Sequence, residues 1–252
     1  MTVQMTVQKN LLIIGGTSDI GHATALHYAQ AGWRIFLAAR DAGAAQRNAD
    51  DIAARTGVGV SVHAIDVLET DQLAPFIADL PVLPDTVVCV VGELGEQKRA
   101  EADLAFATVI LRTNFEAPCL LLGLFAERFQ ERGSGTIVGV SSVAGDRGRA
   151  SNYFYGAAKA GFSQFLSGLR NRMALCGKVH VVTVKPGFVR TRMTAAMKLP
   201  GLLTAEPAKV GYEIYRAAEE SQRDVIYVGQ LWRLVMMVIR AMPEKIFKRL
   251  RL

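Results

Sequence analysis

"LLIIGGTSDIGHA", residues 11–23, joins a short apolar run to a glycine-rich turn and then to a helical segment. A branched apolar run of this length reads as a buried strand, and glycine directly behind it allows a turn that bulkier residues would strain. The same rhythm recurs along the chain. RIFLAA (34–39), GVSVHAID (59–66), TVVCVVG (86–92), GTIVGVSS (135–142), VHVVTVKPG (179–187) and DVIYVG (224–229) read as further strands. Helical stretches separate them at 20–31, 44–55, 70–80, 98–131, 153–175 and 206–219. Strands that alternate with helices predict an α/β fold with a doubly wound parallel sheet of seven strands. The strands are almost wholly apolar, as expected where helices cover both faces.

The chain has 252 residues, half of them apolar, which is enough for one sizeable core. No Pro/Ser-rich linker and no long repeat interrupts it, so the expectation is one Rossmann-like domain over residues 1–230 followed by a C-terminal extension, 231–252. Cys89, Cys119 and Cys176 stand far apart without C-x-x-C spacing, and His22, His27, His63 and His180 are equally scattered. Neither a disulfide framework nor a metal site is expected. The N-terminus repeats itself as MTVQMTVQ, but the apolar run behind it, Leu11 to Ile14, is too short for a signal-peptide core. A cytoplasmic setting follows. Net charge is +6, and residues 231–252 carry five of those charges through six basic side chains against Glu244 alone. Such local basicity, without a basic groove and interleaved aromatics in the body, argues against nucleic acid.

Ligands of open parallel sheets bind at the carboxyl ends of the strands, and that is where the polar motifs lie. The turn from Gly15 to Gly21 leads into a helix, where backbone N–H groups and the positive helix end suit a pyrophosphate. The second strand ends in Ala39-Arg40, with arginine beside the place where an acid would bind a ribose 2′-hydroxyl. Guanidinium there fits a 2′-phosphate and so favours NADP over NAD. Asp66-Val67, at the end of the third strand, suits contacts to adenine or a loop cap. In YFYGAAKAG (153–161), Lys159 follows Tyr155 by four positions and shares its helix face, whereas Tyr153 has no such partner. A phenol titrates near 10 unless a cation stabilises the phenolate, and Lys159 is placed to do so. Ser142, at the mouth of the fifth strand, is positioned to hydrogen-bond a carbonyl.

This combination resembles the short-chain dehydrogenase/reductase family over nearly its whole length. The resemblance rests on the glycine turn with Thr17, Ser18, Asp19 and Ile20, on Asp66, Val67, Gly92, Asn114, Ser142, Tyr155 and Lys159, and on PGFVRT (186–191) with Pro186, Gly187, Val189 and Thr191. It implies that Tyr155 is the acid/base, that Lys159 lowers its pKa and holds the nicotinamide ribose, that Ser142 orients the carbonyl and that Asn114 supports a proton relay. The remaining residues are expected to bind the dinucleotide, and a homodimer or homotetramer is implied. Two departures stand out. Asp19 replaces the usual middle glycine, in a place where it could cap the next helix, and Cys89-Val90-Val91-Gly92 replaces the usual Asn-Asn-Ala-Gly.

The expected reaction is hydride transfer between NADP(H) and a ketone or secondary alcohol, on a small-molecule or lipid-linked substrate. A soluble 3-oxoacyl-thioester or general ketone reductase, and a nucleotide sensor without turnover, remain as alternatives. In the extension, Arg233 and Arg240 share one helical side of an otherwise apolar stretch, and Ile246, Phe247 and Leu250 oppose Lys245, Lys248 and Arg249. It is too short and charged to span a bilayer, but fits either docking on an anionic membrane surface or packing against protein.

Overall fold

The computed structural model of the chain describes residues 8–250; the MTVQMTVQ repeat up to its last glutamine, and Arg251, fall outside them. Seven parallel strands form the main sheet: β1 (Asn10–Ile14), β2 (Arg34–Ala39), β3 (Val60–Ala64), β4 (Thr86–Cys89), β5 (Ser134–Val140), β6 (Lys178–Pro186) and, after two short strands, β9 (Val225–Val228). Their order is β3-β2-β1-β4-β5-β6-β9. The direction of winding therefore reverses between β1 and β4, which opens a crevice at the carboxyl ends of those strands. The two short strands, β7 (Phe188–Val189) and β8 (Thr204–Ala205), pair with each other beyond the end of β6.

Side-chain alternation sorts the strand residues onto two faces, and both are apolar. Leu11, Ile13, Ile35, Leu37, Val138, Val182 and Val184 pack on one side against α1 (Asp19–Gln30), α2 (Ala42–Thr56) and α8 (Pro207–Tyr215). Leu12, Ile14, Phe36, Val87, Ile137 and Val181 pack on the other against α3 (Leu73–Ala78), α6 (Ala117–Arg132) and α7 (Tyr153–Leu175). The period of two, with no polar face, is what made the strands legible.

The helical stretch expected over 98–131 is divided. α4 (Gln97–Ala102) ends at Asp103, whose carboxylate accepts the Phe106 N–H at 3.0 Å and so caps α5 (Leu104–Leu111). A π-helical turn, Arg112–Glu116, then leads into α6. It turns Asn114 inward, where it is fully buried.

The extension is a pair of helices, α9 (Gln230–Ala241) and α10 (Glu244–Phe247), and one side of it is docked on the body. Trp232 and Met236 pack with Val143, Phe188 and Tyr227, and the Trp232 indole N–H donates to Leu203 O at 2.9 Å. Arg147 holds the far end: its guanidinium donates to the carbonyls of Ile239 and Met242, at 2.8 and 2.6 Å, and lies 4.1 Å above the Phe247 ring. Phe247 is thus buried rather than free to face a membrane. The opposite side of α9 is bare, with Leu234, Met237 and Val238 each more than half exposed.

Candidate active site

One cleft of about 660 Å³ runs along the carboxyl ends of β1, β2, β4, β5 and β6. At one end it is walled by the glycine turn and the tip of β2. Gly15 has φ +97°, and a Cβ there would meet the Val90 side chain at 3.0 Å. The turn stays close to β2 because the N–H groups of Gly15 and Gly16 both donate to Ala38 O, at 2.9 and 2.8 Å. Ser18, not Asp19, caps α1, its hydroxyl accepting the Gly21 N–H at 3.4 Å. Gly21 packs behind the turn, where a Cβ would lie 2.9 Å from Gly15 O.

Asp19 has a different partner. Its carboxylate accepts the Arg192 backbone N–H at 2.7 Å and the Arg192 Nε–H at 2.9 Å, while the same guanidinium donates to Thr17 O. The segment after β7 is thereby strapped across the cleft to the glycine turn. Sequence reading missed Arg192, because nothing local marks it as the partner of a residue 173 positions earlier. Thr191 and Thr194 cap the short helical turn of this strap, and Thr194 Oγ1 donates to Val189 O at 2.6 Å.

At the tip of β2, Arg40 is largely exposed and 3.8 Å from one oxygen of Asp66, whose other oxygen accepts the Leu68 N–H at 3.0 Å. Asp66 thus serves as a loop cap, with Arg40 beside it. Val67 and Gly92 line the same wall, as do Pro186, Gly187 and Val189 on the opposite side. The residues present fit a dinucleotide: a glycine cradle with no room for Cβ atoms, a helix start facing the cleft, and a cation near the ribose end.

The middle of the cleft holds Ser142, Tyr155 and Lys159. Lys159 is 2% exposed, and its ammonium donates to Val140 O at 3.1 Å and Val91 O at 3.3 Å. Gly92 makes room for it; a Cβ there would sit 3.3 Å from Nζ and 2.9 Å from Asn114 Oδ1. Asn114 stands just behind the wall, its Nδ2 donating to Glu93 O at 2.7 Å and Ile110 O at 2.9 Å, and its Oδ1 accepting the Glu93 N–H at 3.1 Å. Ser142 Oγ accepts the Ala144 N–H at 3.1 Å.

Burial pushes Lys159 down to about 8 and holds the Tyr155 phenol above its ordinary value, the latter opposed by the Ser142 hydroxyl. Burial thus raises Tyr155, where the spacing leads to an expectation of lowering by Lys159. The ammonium is directed at the two strand-end carbonyls and sits 5.9 Å from the phenol ring centre. Tyr153, by contrast, is exposed at the start of α7 and lies outside the cleft walls.

The far end of the cleft is mainly apolar, with Val143, Phe188, Met193, Met197 and Trp232 in its walls. Arg149 and Asn152, which sequence reading did not single out, stand among them.

The sequence profile of the short chain dehydrogenase family matches residues 9–199, and the chain belongs to that family. It is an NAD(P)-dependent oxidoreductase of the short-chain dehydrogenase/reductase class. An uncharacterized oxidoreductase of Mycobacterium tuberculosis is 36% identical over 249 residues, covering 95% of this chain and 96% of the relative. A second, from Streptomyces coelicolor, is 34% identical over 249 residues and covers 96% of each chain. In fold the chain is similar to a proposed NAD(P)-dependent gluconate 5-dehydrogenase from Beutenbergia cavernae with bound NADP, at TM-score 0.81 and 24% identity, covering 90% of this chain and 97% of that one.

The buried lysine has a measurable consequence. Its folded pKa of about 8 lies below the ordinary 10.5, so between those values the unfolded chain keeps a proton that the folded one has lost. Stability then rises with pH across that window, and below pH 8 the buried charge costs about 3 kcal/mol. In urea titrations, wild type should gain roughly that amount relative to Lys159→Met between pH 8 and 10.5. The buried Cys89 thiol, raised to about 11, acts in the opposite sense above pH 9 and is coupled to Lys159, as is Cys119, so both proteins carry Cys89→Ala and Cys119→Ala in the comparison. A stability difference independent of pH would contradict a buried, titrating ammonium.

Proposed function

We propose that the protein is an NADP(H)-preferring reductase or dehydrogenase of a bulky ketone or secondary alcohol. The observation that carries this reading is the continuity of one cleft, from the glycine turn, past Ser142, Tyr155 and Lys159, to an end walled by Val143, Phe188, Met193, Met197 and Trp232. The bound nicotinamide supplies or accepts the hydride. Tyr155 delivers the proton to the carbonyl oxygen in reduction and takes it back in oxidation. Ser142 holds that oxygen by a hydrogen bond, and the positive charge of Lys159 on the same helix face stabilises the phenolate left when Tyr155 gives up its proton. Asn114, buried behind Gly92, fixes the Glu93 backbone and links the wall to the proton path. Intact Ser142, Tyr155 and Lys159 in one cleft argue against a nucleotide sensor without turnover.

Tyr155→Phe should lower kcat by about two to four orders of magnitude while NADPH binding stays measurable, since only the titrating hydroxyl is lost. Tyr153→Phe should remain near wild type. Equal losses in the two variants would move the proton elsewhere.

NADP preference rests on Arg40, with Ala39 leaving no acid to bind a free 2′-hydroxyl. Arg40 is exposed and pairs only loosely with Asp66, at 3.8 Å, so its charge is available to a 2′-phosphate. A charge-assisted bond of about 1.5 to 3 kcal/mol corresponds to a preference of tens of fold. Fluorescence titrations with NADPH and NADH should show this preference in wild type and its near loss in Arg40→Ala; equal affinities in wild type would refute it.

The substrate assignment extends to a keto-sugar on a polyprenyl phosphate. GGTSDIG (15–21), YGAAKAG (155–161), KPGFVRTRM (185–193) and LVMMVIRAMPEKIFKRL (234–250) resemble decaprenylphosphoryl-2-keto-erythropentose reductase beyond the general family pattern. The bare side of α9, beside the apolar end of the cleft, supports reversible docking on the cytoplasmic face of an anionic membrane. Each of Arg233, Arg240, Lys245, Lys248 and Arg249 near such a surface contributes about 1 kcal/mol. Exposed Leu104, Phe115 and Leu120 offer a separate apolar face to a second copy in a homodimer or homotetramer. The protein should co-sediment with phosphatidylglycerol vesicles at low salt and release at high salt, because surface attraction is screened. No co-sedimentation at low salt would remove both the membrane and its argument for a lipid-linked substrate.

A further inference from the structure

The apolar end of the cleft contains a cation without a counter-ion. Arg149 lies between Ser142 and Tyr155 in sequence and reaches into the cleft wall. Its Nε–H is buried and has no hydrogen-bond partner among the described residues, and its Nη2 meets only the thioether of Met236, 3.6 Å away on α9. The nearest candidate for neutralising it is Asp146, and that carboxylate is already committed. One oxygen is 2.5 Å from Lys185 Nζ, and the other accepts the Tyr227 hydroxyl at 2.7 Å. The remaining acids of the cleft stand by other groups or are exposed: Asp19 beside Arg192, Asp66 near Arg40, and Glu93 exposed beyond the end of β4. A second orphan lies alongside: Asn152 Oδ1 is buried and accepts nothing.

An isolated guanidinium withdrawn from water is costly, and burial indeed works against its charge here. Structural arginines elsewhere in the chain show the alternative. Arg147 and Arg170 are comparably shielded, yet each donates to several carbonyls and faces a carboxylate. Arg149 differs in that it lines the cleft while its buried Nε–H is left without a partner among the described residues.

We propose that Arg149 binds an anionic oxygen group of the carbonyl substrate, a phosphate or carboxylate, and so selects charged ketones over neutral ones of equal bulk. This rests on the carbonyl-reductase reading above and narrows its substrate class. The surroundings suit such a molecule. Trp232, Phe188 and Met193 face its apolar part, and a side cavity of about 130 Å³ shares Leu94, Asn152, Tyr155 and Met197 with the main cleft. A planar guanidinium offering two parallel N–H groups matches carboxylate and phosphate oxygens, and a site that loses one such partner discriminates strongly.

The test compares wild type, Arg149→Met and Arg149→Lys in NADPH oxidation with two matched pairs: a long-chain keto acid against its methyl ester, and a keto alkyl phosphate against the parent keto alcohol. Wild type should favour the charged member of at least one pair, and the pair that responds identifies the anion. In Arg149→Met the charged-to-neutral ratio of kcat/KM should fall roughly 10- to 100-fold, chiefly through KM. Arg149→Lys should retain part of the preference, which a purely structural role would not require. An unchanged ratio in Arg149→Met, or a wild-type preference for the neutral members of both pairs, overturns the proposal. If wild type turns over none of the four ketones, the reductase reading fails separately, and binding decides the anion site. Octyl phosphate, followed by quenching of tryptophan fluorescence, should then bind wild type and Arg149→Lys more tightly than Arg149→Met. Equal affinities for wild type and Arg149→Met reject it.

Discussion

The Lys159 ammonium, held between the carbonyls of Val91 and Val140, is the interaction on which the site depends. It joins α7 to the ends of two adjacent strands, close to where the sheet reverses its winding. A buried charge of this kind is tolerated only where nearby groups are arranged around it. Gly92 leaves space, Asn114 stiffens the same wall from behind, and Cys89 and Cys119 lie close enough to affect its titration. Four positions earlier on the same helix face, Tyr155 is carried to the centre of the cleft. The lysine's position thus fixes the phenol's, and burial sets both their pKa values.

On either side of that centre the cleft solves two electrostatic problems differently. At the glycine turn, Arg192 covers Asp19 closely, while Arg40 stands only loosely by Asp66. Asp19 without its partner would place a carboxylate at the very helix end that suits a phosphate, so the strap makes the departure from glycine tolerable. At the other end, charge is left unmatched at Arg149 among apolar side chains. α9 contributes to that end directly, through Trp232 and Met236. The extension is therefore part of the cleft wall on one side and an exposed apolar surface on the other.

Much of this was legible in the sequence because it is local. The apolar run of Leu11 to Ile14, the glycine turn, and the spacing of Tyr155 and Lys159 each depend on neighbours in the chain. The helix over 153–175 was readable at both ends for the same reason. What escaped depends on distant pairs. Asp19 reads as a helix cap until Arg192 arrives from 173 residues away, and Phe247 reads as a membrane-facing residue until Arg147 covers it. The break at Asp103 and the π turn at Asn114 were hidden because apolar residues continue through both. Arg149 escaped because its significance lies in lacking a partner, which no sequence pattern records. The spacing of Lys159 and Tyr155 shows the cation on the same helix face but not the desolvation of the phenol, which raises its pKa.

The central claim is that this cleft passes hydride between nicotinamide and a ketone carbon. It is tested most directly by incubating the protein with NADPH deuterated at the transferable C4 position and a panel of bulky ketones, then analysing the alcohols by mass spectrometry. The account predicts an alcohol carrying one deuterium at the former carbonyl carbon, formed by wild type and not by Tyr155→Phe. Saturable NADPH binding without a deuterated alcohol from any ketone class, neutral or anionic, would contradict it.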